Sequence, residues 1–175
     1  MGEAALVARL AVGTAFLLTA AWKLRNPQEF QAVLRERTSR FRRARWRGIP
    51  IAVAGIELGI ALLLFLPSVP SPIAAIAASA LLGGFTALLL IGESSKVGCG
   101  CWRSEPEVGD GAYVGRNVVL LIMAATAGWA TASVGGAMYA LSLVLGAIVA
   151  ITVLEAPGLL MQGWNATSGG GKERR

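Results

Sequence analysis

Two cysteines, Cys99 and Cys101, make up the whole thiol content of this chain, and a single glycine separates them in KVGCGCWRSEPEVG, Lys96 to Gly109. The thiolate is the reactive form of cysteine, and a nearby cation stabilises it. Lys96 and Arg103 flank the pair, while the four acidic residues from Glu93 to Asp110 work against them. A disulfide closed over one intervening residue is a small strained ring, and strained, exposed disulfides are the oxidising, labile ones. It also removes little chain entropy, so it makes a poor staple. The spacing therefore favours thiol–disulfide exchange. Capture of a soft cation such as Cu(I) or Hg(II) between the two thiolates is an alternative. A third reading is a structural subunit of a larger membrane oxidoreductase, with the cysteines secondary.

The other chemistry-bearing residues lie inside apolar runs. Glu57 is about eight residues into one such run, roughly 12 Å deep at 1.5 Å per residue. A charged carboxylate at that depth opposes insertion by about 3 kcal/mol, so it must face inward and find a partner. Arg9 and Arg116, each in another apolar run, are the candidate partners on reach. Gly55 and Gly59 bracket Glu57 in GIELG and share a face suited to close helix contact. Glu57 lies about 200° round from Gly55 and so points away from that seam. The pair has two readings: an ion pair that fixes helix register, or a proton donor and acceptor beside a redox centre. The chain contains no histidine. That excludes His-ligated haem and most zinc sites, and two cysteines cannot close a zinc site alone.

The elements that must position these residues read as membrane spans. The chain has 175 residues, 55% hydrophobic and 15% charged, less charge than a soluble domain of this length carries. Five runs approach the ~20 apolar residues that a spanning helix needs: residues 4–22, 49–66, 73–92, 113–132 and 137–154. LPSVPSP, Leu66 to Pro72, makes the second and third a tight hairpin, SVGG at Ser133 to Gly136 separates the last two, and EAPG at Glu155 to Gly158 is expected to stop the fifth. Trp22, Trp46, Trp129 and Trp164 fall near the ends of runs, the headgroup level that amphipathic rings prefer. The first run reads as a retained span, since Glu3 and Arg9 nearly cancel before the apolar stretch and basic residues follow it. The expected architecture is one all-α transmembrane domain over residues 1–162. A basic segment (23–48), a cysteine loop (93–112) and a polar basic tail (163–175) interrupt or follow the spans.

Between Lys23 and Arg47 stand nine basic and two acidic residues, net +7, and the tail ends KERR. Basic residues that flank apolar runs report membrane orientation rather than nucleic-acid binding. With five spans, the basic segment, the tail and the cysteine loop share one side, which the charge rule makes cytoplasmic. Asn26-Pro27 is a helix start signal. Phe30, Val33, Leu34 and Phe41 form an approximate apolar stripe among arginines, so the segment reads as an amphipathic helix lying in the membrane interface.

These features, in this order, resemble the MauE/DoxX group of redox-associated membrane proteins. Lys23 closes the first span, PQEF follows it, Glu57 sits in the second span, and CGCW precedes GRN, Gly115 to Asn117, which opens the fourth. The resemblance runs from about Arg9 to Ala132 and implies a four-helix membrane bundle, to which this chain adds a fifth span. It implies that Cys99 and Cys101 are the redox pair, with Glu57, Lys23, Arg116 and Asn117 as the polar positions around it. It also implies a part in the maturation of a disulfide-rich dehydrogenase beside a thioredoxin-like partner, and an extracytoplasmic cysteine site, against the charge rule. On this reading the bundle sits in the cell membrane, alone or as an oligomer, and exchanges disulfides with a thioredoxin-like or client protein. Quinone is the acceptor suggested by analogy with membrane disulfide oxidases, and Trp102, Arg103 and Lys23 are its expected contacts.

Overall fold

The computed structural model describes residues 2–37, 48–66, 71–91, 110–128 and 136–168. They form six helices: α1 (Gly2–Arg25), α2 (Pro27–Arg37), α3 (Ile49–Phe65), α4 (Ser71–Ile91), α5 (Asp110–Ala127) and α6 (Gly136–Ser168). Cys99, Cys101, Trp102 and Arg103 lie outside the described residues, as do Lys96, Phe41 and Trp46.

Each helix boundary has a local cause. Asn26 joins α1 to α2: its N–H donates to Trp22 O at 2.9 Å and its own carbonyl accepts from Phe30 N at 3.3 Å. Pro27 then opens α2, where its missing N–H costs nothing. Pro50 stands in the first turn of α3 in the same way. α3 ends at Phe65 because Leu66 takes an extended conformation, φ −77° and ψ 114°, as the residue before a proline prefers. α6 corrects the sequence expectation: it runs through Glu155 to Gly158 and on to Ser168. An internal proline removes a single backbone donor, and GLLMQ after it is favourable helix sequence.

α1, α4 and α6 contain spans long and apolar enough to cross a membrane, at Glu3–Arg25, Pro72–Ile91 and Met138–Glu155. α3 and α5 are shorter, 17 and 18 residues, near the lower limit of about 17 for a spanning helix. The exterior is as apolar as the core. Ile51, Ile73, Ile76, Leu90, Ile91, Ile122 and Ile148 are all more than half exposed, the inverse of a soluble surface and the expected face toward lipid.

α1 is the central helix. Of its span, 67% is buried inside the protein, against 28% for α4 and 22% for α6. It packs most extensively on α3 and α6 and then on α5, while α4 packs on α5. Small residues make this possible. A Cβ on Gly146 of α6 would meet Ala11 N at 2.9 Å, and one on Gly13 of α1 would meet Leu64 Cβ at 3.2 Å. Close approach in lipid gains dispersion energy where no hydrophobic effect operates.

Two further expectations need correcting. Gly55 and Gly59 form no seam within the bundle: both are exposed and nothing lies within 4 Å of an added Cβ. The close contacts fall to Gly13 and Gly146 instead, because the burial of Glu57 turns the opposite face of α3 outward. The apolar stripe of α2 does not lie in lipid. Phe30, Val33 and Leu34 are buried and α2 packs on α3 and α1.

Candidate functional site

Lys23 and Glu57 form a buried ion pair, with Lys23 fully buried and Glu57 at 1% exposure. α1 delivers Lys23 from its last turn, where a cation also complements the helix dipole. α3 delivers Glu57 from its middle. The Lys23 ammonium also sits over two aromatic faces, 5.1 Å from the Phe30 ring centroid and 4.9 Å from that of Phe85. Both are within cation–π range. Four helices thus converge on one charge: α1 carries it, α3 neutralises it, and α2 and α4 enclose it.

Arg116 and Asn117, both buried, extend this polar centre onto α5. The Arg116 guanidinium lies 5.5 Å from the Tyr113 ring centroid. Asn117 Nδ2 makes a long contact of 3.4 Å to Thr86 Oγ1, which itself donates to Leu82 O at 2.8 Å. Glu57, Arg116 and Asn117 all line one cavity, together with Thr19, Phe85 and Leu120. Its free volume is about 20 Å3, room for roughly one water molecule.

The partner expected for Glu57 is corrected here. Arg9 lies at the opposite end of the bundle and donates to backbone carbonyls there: Nε to Leu64 O at 2.8 Å, and Nη2 to Leu63 O at 3.2 Å and Leu66 O at 2.7 Å. Tyr139 Oη of α6 donates to the carbonyl between them, Phe65 O, at 2.7 Å. The last carbonyls of a helix have no partner within it, and a membrane supplies no water for them. Arg9 and Tyr139 supply the donors. Residue count placed Arg9 and Glu57 at comparable depth, but it did not anticipate how strongly an open helix end attracts a guanidinium.

The structure therefore brings Lys23, Glu57, Arg116 and Asn117 together and takes Arg9 away. Lys23 is held by Glu57 and two rings. Sequence reasoning missed Phe85, Thr86 and Tyr113. A single aromatic or threonine in an apolar helix carries no signal, although Tyr113 three residues before Arg116 is a recognisable cation–π spacing on a helix.

The site also lies close to the cysteine segment by chain connectivity. That segment leaves α4 after Ile91 and enters α5 at Asp110. Phe85 and Arg116 are each six residues inside those ends, about 9 Å by helical rise. Phe30 on α2 and Phe85 on α4 flank the same ammonium, so the basic helix and both ends of the cysteine segment share one end of the bundle.

Among the described residues, no group of three or more His, Cys, Asp or Glu could hold a metal ion. No curated protein and no solved structure matches this chain. A family model does, over residues 1–130, which takes in α1 to α5 and stops short of α6. The chain is thus a multi-pass membrane protein that belongs to the methylamine utilisation protein MauE family.

Proposed function

We propose that the protein is a membrane thiol–disulfide exchange factor that acts through Cys99 and Cys101 on a thioredoxin-like or client protein. One observation carries this reading: the buried Lys23–Glu57 ion pair lies beneath the helix ends from which the cysteine segment departs. A buried charge pair needs a reason, since apolar side chains of similar size are often at least as stable. Here Lys23, Glu57 and Arg116 supply a fixed polar field near the helix ends between which the cysteine segment runs. Family membership and the Cys-Gly-Cys spacing point the same way.

The cycle balances with a second protein disulfide as the oxidant. A thiolate of the partner attacks one sulfur of the Cys99–Cys101 disulfide and forms a mixed disulfide. The partner's second thiolate then attacks its own sulfur in that bond. The partner leaves oxidised, and the cysteine pair holds the two electrons and two protons. A second thioredoxin-like protein in its disulfide form returns the pair to the start. Arg103 or Lys96 favours the thiolate, Glu57 accepts or returns a proton, and Arg116 stays charged and orients it.

Cys99→Ser and Cys101→Ser test the reading. Both variants abolish turnover, and one of them traps a covalent complex with the partner, because nothing is left to resolve the mixed disulfide. If neither traps a partner and the reduced protein binds Cu(I) stoichiometrically, the function is metal capture. The family resemblance implies the extracytoplasmic side for the cysteine segment, whereas by the charge rule we infer that it faces the cytoplasm. A membrane-impermeant thiol reagent then labels Cys99 or Cys101 only after reduced cells are permeabilised. Labelling in intact, reduced cells reverses the orientation.

A further inference from the structure

A groove runs along the outside of the bundle where α2 crosses the start of α3. It encloses about 630 Å3. Gln28, Gln31 and Arg35 of α2 line one side, and Pro50 and Ile51 of α3 line the other. The groove has no part in the ion-pair site: Phe30 and Val33 of α2 turn inward, while Gln28 and Arg35 are exposed.

The donors in this groove exceed the acceptors. Gln31 Nε2 is buried with no hydrogen-bond partner among the described residues, a costly condition for an amide. α3 opens at the groove with Gly48 as its N-cap and no side-chain cap, so first-turn N–H groups and the positive end of the helix dipole lie at its edge. Arg35 adds a guanidinium, whose planar fork matches a phosphate. The stretch of sequence from Lys23 to Arg47, to which α2 belongs, carries net +7. The wall below is apolar and faces outward, with Ile51 62% and Leu62 54% exposed on one face of α3.

Donors at the end of the spans above an apolar wall facing lipid match one ligand chemistry. We propose that this groove binds a single anionic phospholipid, with its headgroup phosphate on Arg35, Gln31 and the start of α3, and its acyl chains along Ile51 and Leu62. The bound lipid gives the Gln31 amide its missing acceptor and ties α2 to the leaflet that the basic segment faces. This inference is independent of the cysteine chemistry.

Lipid titration of the purified full-length protein by native mass spectrometry tests it. Phosphatidylglycerol binds at least about fivefold more tightly than phosphatidylcholine, the factor expected from one basic residue near an anionic headgroup. Gln31→Leu combined with Arg35→Glu weakens phosphatidylglycerol binding about tenfold. Arg25→Glu makes the same charge change outside the groove and costs less than about twofold. Ile51→Trp fills the groove from an exposed position and weakens the same lipid, which keeps the test independent of whether the double variant folds. Equal binding of the two lipids, equal losses from Arg25→Glu and the double variant, or unchanged binding by Ile51→Trp overturns the proposal. Displacement of the lipid by millimolar inorganic phosphate also overturns it, in favour of a free-anion site.

Discussion

Two buried cations sit at opposite ends of this bundle, and they are solvated in different ways. Lys23 is matched by a carboxylate and two aromatic faces. Arg9 is matched by the backbone carbonyls of Leu63, Leu64 and Leu66 at the end of α3. An ammonium is a compact charge that one carboxylate can neutralise, whereas a guanidinium is a fork that can serve several acceptors. The Arg9 end completes an open helix terminus, so its charge is a consequence of hydrogen bonding. The Lys23 end closes no terminus. It concentrates charge near the ends of α4 and α5, where the proposed exchange function would use it.

The largest effect that separates the two ends is expected at Glu57. Glu57→Leu strands a fully buried ammonium and destabilises the protein by about 3–5 kcal/mol, read as a lower melting temperature or lower membrane yield. Lys23→Met with Glu57→Leu removes both charges and returns stability close to wild type. Exchange activity is lost in both variants. A double variant with normal exchange activity removes the functional half of the comparison.

Arg9→Met comes next. It leaves three carbonyls of α3 without donors and costs about 2–4 kcal/mol, less than the sum of three bonds to a charged group because the helix end relaxes. Arg9→Lys recovers part of that loss. Turnover per folded molecule stays at wild-type level in both. A fall in turnover from Arg9→Lys at unchanged stability shows that the two ends are coupled.

Gly146→Ala has an intermediate effect. Its Cβ at 2.9 Å from Ala11 N forces α6 away from α1 and costs about 1–3 kcal/mol by thermal unfolding. Gly55→Ala, on the exposed face of α3, is neutral or stabilises by up to about 1 kcal/mol through helix propensity. Equal losses at the two positions mean that Gly55 meets another copy or another protein in the membrane.

The smallest change is Tyr139→Phe. It removes one hydroxyl donor from Phe65 O and costs about 1 kcal/mol, visible as faster proteolysis of α6. A loss as large as that of Arg9→Met makes α6 an equal partner in holding the helix end.

Much of this protein was legible without coordinates. Hydropathy alone yields the helical membrane class, because the bilayer leaves few ways to satisfy a backbone and runs of about 20 apolar residues can do so only as helices. The inward turn of Glu57 also follows from sequence, since a carboxylate in lipid has nowhere else to go. The choice of its partner does not. Arg9, Lys23 and Arg116 all had the charge and the reach, and only the packed structure shows that the open end of α3 takes Arg9 and that the end of α1 presents Lys23 to Glu57. Residue spacing gives depth along a helix axis but not rotation against three neighbours. For the same reason GIELG identified a close-packing face that the bundle turns outward, while the glycines that matter, Gly13 and Gly146, stand in unremarked apolar sequence. Phe30 and Phe85 became part of a polar site only through the helices that set their rings over a charge. The contacts of Lys23 with Phe30 and Phe85 depend on tertiary placement, whereas the Tyr113–Arg116 contact lies within one helix at a spacing of three.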